Sequence, residues 1–108
     1  MHQDRQLKFY EEPEKMRNEV LEHLPLGTSI DQAQIFMKKN GFKCQIQKDS
    51  AYAESKANGE SQVHKNRDFL YCDCSKSQKF LRKRWQIIFD YQENNIKEVV
   101  VNFGLIGP

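Results

Sequence analysis

Along this chain the spacing of apolar residues changes once, near position 42, from recurrence at each helical turn to alternation. The sequence therefore reads as helices followed by strands. Met16, Val20, Leu21 and Leu24 form a first helical stripe, with Arg17, Glu19, Glu22 and His23 largely outside it. Glu12-Pro13-Glu14 has the form of a helix start: proline's missing N–H is not needed at the first helical position, and carboxylates favour the positive end of the dipole. Pro25 and Gly27 end that helix. Ser29 is placed to cap a second helix, with Gln32 as its capping-box partner and Ile30, Ala33, Phe36 and Met37 as the inward face. Lys38 and Lys39 suit its last turn, and Gly41 closes it, because glycine takes a positive φ at little cost.

After the switch, Phe42, Cys44 and Ile46 alternate with Lys43, Gln45 and Gln47 in a first strand. Residues 49–66 are polar and lack sustained apolar periodicity, so they are expected to be a long, mobile connection. A second strand runs from Asp68 to Cys74, with Leu70, Cys72 and Cys74 on one side and Phe69, Tyr71 and Asp73 on the other. Trp85, Ile87, Phe89 and Tyr91 alternate with Gln86, Ile88 and Asp90 in a third strand. Glu93-Asn94-Asn95 is a turn, and Ile96 to Phe103 form a fourth strand with Val99, Val101 and Phe103 on its apolar side.

The predicted fold class is α+β: two N-terminal helices packed on one face of a four-stranded antiparallel meander. The two helical stripes are the only other large apolar surfaces available to cover the sheet. Trp85 and Phe103 are therefore expected in the core.

Residues 1–108 suffice for a single domain, with 1–11 expected to be a flexible N-terminal segment. The formal net charge of +2 does not by itself imply a polyanionic partner. The charge is uneven, however, with Glu11, Glu12, Glu14, Glu19 and Glu22 early and Lys76, Lys79, Arg82, Lys83 and Arg84 late. No apolar run approaches the roughly 20 residues that cross a bilayer, and the N-terminus lacks the apolar core of a secretion signal. As written, the chain reads as soluble, with its compartment open.

The string Leu24-Pro25-Leu26-Gly27-Thr28-Ser29 before a helix, followed by Trp85-Gln86-Ile87-Ile88-Phe89 and a turn into Ile96-Lys97-Glu98-Val99-Val100-Val101, resembles the SmpA/OmlA outer-membrane-assembly lipoproteins. The same helix-helix-sheet unit occurs in the beta-lactamase inhibitory proteins. The resemblance runs from about Met16 to Phe103. It implies a non-catalytic module that binds another protein in or near a bacterial envelope; without it the expected compartment is cytoplasmic.

Three functional readings follow from the residues. A sheet with one face covered leaves the other free, and Phe69, Tyr71 and Ile88 with charged neighbours suit a protein contact there. That reading is preferred, with cross-strand packing of the same side chains as its plain alternative. The second is nucleic-acid binding by the basic 76–84 connection, where Arg82, Lys83 and Arg84 lie close to Phe80 and Trp85; the modest overall charge ranks it lower. The third is metal or redox chemistry by Cys72-Asp73-Cys74 with Cys44 and His64. A single residue between two cysteines departs from common zinc spacings, so buried free thiols are preferred to metal. A bridge from Cys44 to Cys72 or to Cys74 ranks above metal if the domain is exported. His2, His23 and His64 have no nucleophile partner by spacing and no phosphate-binding loop is present, so an enzyme is not expected, nor is a cofactor.

Overall fold

The computed structural model describes residues 6–56 and 58–106. Helices α1 (Pro13–His23) and α2 (Ile30–Lys39) precede four strands, β1 (Lys43–Ser55), β2 (Ser61–Gln78), β3 (Leu81–Gln92) and β4 (Asn95–Ile106). The strands form one antiparallel sheet in the order β1-β2-β3-β4. Both helices pack on it, α1 against β4 and α2 against β1.

The helix ends form where local chemistry supplies their missing hydrogen bonds. Pro13 occupies the first turn of α1, and the Ser29 hydroxyl accepts the Gln32 N–H at 3.2 Å. Gly41 sits at φ +92°, and the Phe42 N–H returns to the Met37 carbonyl at 3.0 Å. Met16, Val20, Ala33 and Met37 from the helices meet Leu70, Cys72, Ile87, Phe89 and Val99 from the sheet in one buried core. Trp85 lies in that core, with Phe103 partly buried against it.

The segment between the helices is strapped to the last hairpin. The Gly27 N–H donates to the Ile96 carbonyl and the Ile96 N–H to the Thr28 carbonyl, both at 2.8 Å, and the Ile30 N–H donates to Asn94 at 2.9 Å. Glu93 and Asn94, at φ 53° and 67°, make the two-residue turn whose positive dihedrals match the twist of a hairpin. The Arg17 Nε donates to the Val99 carbonyl at 2.8 Å, so α1 covers part of the otherwise open edge of β4.

Two expectations change. Residues 49–66 are not a long connection: β1 and β2 continue through them and only 56–60 link the strands. Register shifts between Gln47 and Ser50 and between Ser50 and Tyr52, with Asp49 and Asn66 at positive φ, bend this arm. It folds back across the second face of the sheet as far as β4, where the Asn102 amide donates to the Ala53 carbonyl at 2.9 Å and accepts the Ser55 N–H at 3.0 Å.

The N-terminal segment 1–11 also differs over its described part, 6–11. Leu7 is buried, and its N–H donates to the Asn40 side chain at 2.8 Å. Phe9 stacks on Phe42 and meets Trp85 edge-on, with ring centroids 5.6 and 4.9 Å away. Residues 1–5 of that expectation lie outside the described residues.

Glu19 ties this segment to α1. Burial works to raise its carboxyl, but it is outweighed by hydrogen bonds from the Lys8 N–H and the His23 ring and by the charges of His23 and Lys8, leaving it below the usual 4.5. A carboxyl depressed in the folded state contributes stability that is complete above the unfolded value and is lost as the pH falls through the folded one. Unfolding free energy is therefore expected to fall as the pH drops below 4.5. Denaturant titrations of wild type and Glu19→Gln from pH 6 to pH 2 check this: the variant should lose that part of the slope.

Candidate functional site

The three residues expected on a free sheet face are not on an open surface. Phe69 and Ile88 are buried with Tyr52 and Val100 in a second cluster under the β1–β2 arm, and Tyr71 packs partly buried beside them. This is a correction, and its cause is the arm, which supplies the cover that the polar sequence did not foreshadow. At its centre the Tyr52 hydroxyl donates to Asp90 Oδ2 at 2.8 Å, and Arg67 Nη1 reaches the same oxygen at 2.8 Å. Asp90 is 2% exposed, so these two donors stabilise a carboxylate that would otherwise be buried alone. Burial and the adjacent Asp90 push the Tyr52 phenol well above its ordinary range. What remains open beside the arm is a shallow groove of about 410 Å³, with Tyr71 and Gln86 on its wall and their side chains hydrogen-bonded at 2.6 Å.

The basic stretch likewise differs from a connecting loop. β2 and β3 extend as a long hairpin through it, turning only at Lys79-Phe80 between the paired Gln78 and Leu81. Arg84 forks onto Asp73, Nε to Oδ1 at 2.9 Å and Nη2 to Oδ2 at 3.1 Å. Lys83 pairs with Glu11, and Lys76 Nζ lies 3.5 Å from the centre of the Phe9 ring. Lys79 and Arg82 have no ion-pair partner among the described residues. Of the basic candidates Arg82, Lys83 and Arg84, the structure thus leaves one outward-facing cation and engages two internally.

Lys79 and Arg82 flank an apolar end of the sheet. Phe80 is 80% exposed at the turn, Leu81 follows it, and the last residues of β4 bring Leu105, 57% exposed, and Ile106 alongside β3. Leu105 pairs with Lys83 and Ile106 with Arg82. By strand alternation Leu81 and Leu105 share one face on neighbouring strands, within the reach of diagonal neighbours. From Phe103 to Ile106 the outer edge of β4 has no backbone partner among the described residues. Leu105 and Ile106 were not singled out in the sequence. Their only signal was an apolar pair continuing past the expected strand end at Phe103.

The cysteines and histidine do not converge as a set. Cys44 and Cys72 face each other across β1 and β2, whereas His64 pairs with Tyr52 far along the bent arm, 3.1 Å from Glu54 and stacked on the Tyr52 ring. Among the described residues no group of three or more His, Cys, Asp or Glu side chains is placed to hold a metal ion. Nor, among them, is any helix long and apolar enough to cross a membrane.

Compared with known proteins, the chain matches no family model, no curated protein and no solved structure.

Proposed function

We propose that this chain is a non-catalytic binding module that holds another protein with the projecting end of its sheet: the Lys79-Phe80 turn, Leu81, and the end of β4 at Leu105 and Ile106. The observation that carries the reading is an aromatic side chain 80% exposed at the tip of a hairpin, at the same end of the sheet as exposed Leu81 and Leu105 on one face and Ile106 on the other. Aromatic anchors ringed by polar groups dominate protein contacts, because a flat ring buries a large area while losing little conformational freedom. Lys79 and Arg82 give the patch a positive rim and favour a partner with acidic residues around an apolar pocket. The open edge of β4 offers backbone groups to an added strand. The resemblance seen in the sequence extends the proposal to a partner of the bacterial envelope.

A photoreactive side chain at position 80 tests this in the native host, with the same group at Lys48 as control. One defined adduct of a second protein is expected at position 80 alone. Leu105→Ser with Ile106→Ser should reduce its yield about tenfold while the unfolding temperature stays within about 3 °C. Nucleic-acid adducts, or protein adducts unchanged by the double variant, would overturn the reading.

A further inference from the structure

We propose that Cys44 and Cys72 are a dithiol modification site, at which a small-molecule disulfide of the glutathione type is reduced while a protein disulfide forms between β1 and β2. Cys44 is the attacking sulfur, Cys72 the resolving one, and Cys74 stays a thiol.

Three observations carry this. Cys44 and Cys72 are direct partners in the strand register, and their Sγ atoms lie 2.9 Å apart. Across paired strands such residues meet the Cα separation that a disulfide requires. Exposure then sets the order of events: Cys44 is half-buried on the outer strand of the sheet, while Cys72 is fully buried behind it. An incoming disulfide can reach the first sulfur only. Finally, the register runs Cys44 to Cys72 and Lys43 to Asp73, so the next step sets Cys74 opposite position 42, which is a phenylalanine. This resolves the choice between Cys72 and Cys74 that spacing alone left open.

The local electrostatics agree with that division of labour. The Cys72 thiol beside Cys44 lowers the latter's pKa against the opposing effect of burial, and the charge of Lys38 adds to the lowering. Burial pushes both Cys72 and Cys74 up.

The atoms balance in two exchanges. Cys44 thiolate attacks one sulfur of RSSR, the S–S bond breaks, and the first RS⁻ leaves with the proton that Cys44 gave up. The product is a mixed disulfide, Cys44–S–S–R. Cys72 then attacks the Cys44 sulfur, and the second RS⁻ departs with the Cys72 proton. Overall, the two thiols lose two electrons and two protons, RSSR gains them, and two RSH are released.

The test uses the full chain in oxidised glutathione, followed by alkylation under denaturing conditions and peptide mapping. The expected product has lost two hydrogens, carries one alkyl group on Cys74, and shows residue 44 linked to residue 72. Its unfolding temperature should rise by about 10 °C, because the bond restricts the unfolded chain. Cys72→Ser should stop at glutathione attached to Cys44. Alkylation of all three cysteines in the treated wild type, a link from Cys44 to Cys74, or a lasting glutathione adduct on wild-type Cys44 would each overturn the assignment. The wild-type map alone decides, whether or not the variant folds.

Discussion

Replacing Asp90 with alanine is expected to lower the unfolding free energy by about 3 kcal/mol, and to do so unevenly along the chain. Asp90 is the shared acceptor of the Tyr52 hydroxyl and the Arg67 guanidinium, and it lies beneath the arm that those donors help to hold. Without the carboxylate the phenol loses its buried partner, and part of the space Asp90 filled is left empty. The cost should therefore appear first as local opening of the arm. Amide hydrogen exchange at 50–55 and 61–67 should accelerate at least tenfold, while α1, α2 and the core of β3 keep their protection until global unfolding. Tyr52→Phe removes one hydrogen bond and keeps the ring, so about 1 kcal/mol is expected. An Asp90→Ala variant whose arm exchanges no faster would show that the apolar contacts of Phe69, Ile88 and Val100 hold the arm without the polar centre.

The second large effect is expected at Trp85. Its indole lies in the main core, its Nε1 donates to the Tyr10 carbonyl at 2.8 Å, and its ring meets Phe9 and Phe103. Trp85→Ala should cost about 3 to 5 kcal/mol, which for a domain of this size is a fall in unfolding temperature of about 15 °C or more. Trp85→Phe keeps much of the apolar area but loses the bond to Tyr10, so a smaller loss of about 1 to 2 kcal/mol is expected. Both variants should expose the N-terminal segment to protease, because Trp85 meets the Phe9 ring and holds the Tyr10 carbonyl. Calorimetry with limited proteolysis checks both, and a segment still resistant in Trp85→Ala would assign its anchoring to Leu7 and Phe9.

How far the sequence foretold this fold depends on where each segment's signal resides. The helices were legible because their ends are local: Pro13, Ser29 and Gly41 act on backbone groups within a few residues. β3 and β4 were legible because each carries a dense run of β-branched and aromatic residues bounded by turn residues, with Trp85, Ile87 and Phe89, then Val99 and Val101, on the helix-covered face, although Ile88 and Val100 on the other face are buried as well. The arm was not legible, since among its described residues Tyr52 is the only buried apolar one and it is held by side chains from β3 and β4 far away in sequence. A polar strand recruited by distant partners carries no period of its own.

The candidate site followed the same rule. The exposed aromatic Phe80 and its cations stand together in the chain, but the neutralisation of Lys83 by Glu11 and of Arg84 by Asp73 depends on contacts across the fold. Likewise, the apolar character of Phe69 and Ile88 was plain, while their burial depended on an element with no apolar run.

The strap between Gly27-Thr28 and Ile96 bears on how the protein is made. Helices α1 and α2 emerge from the ribosome before the sheet, yet their loop takes its backbone partners from Asn94 and Ile96, and Arg17 takes its acceptor from Val99. During synthesis the two helices must therefore wait, with their greasy side unprotected, until the β3–β4 hairpin leaves the exit tunnel. A nascent chain stalled before Asn94 should be a chaperone client, and one released after Ile106 should not.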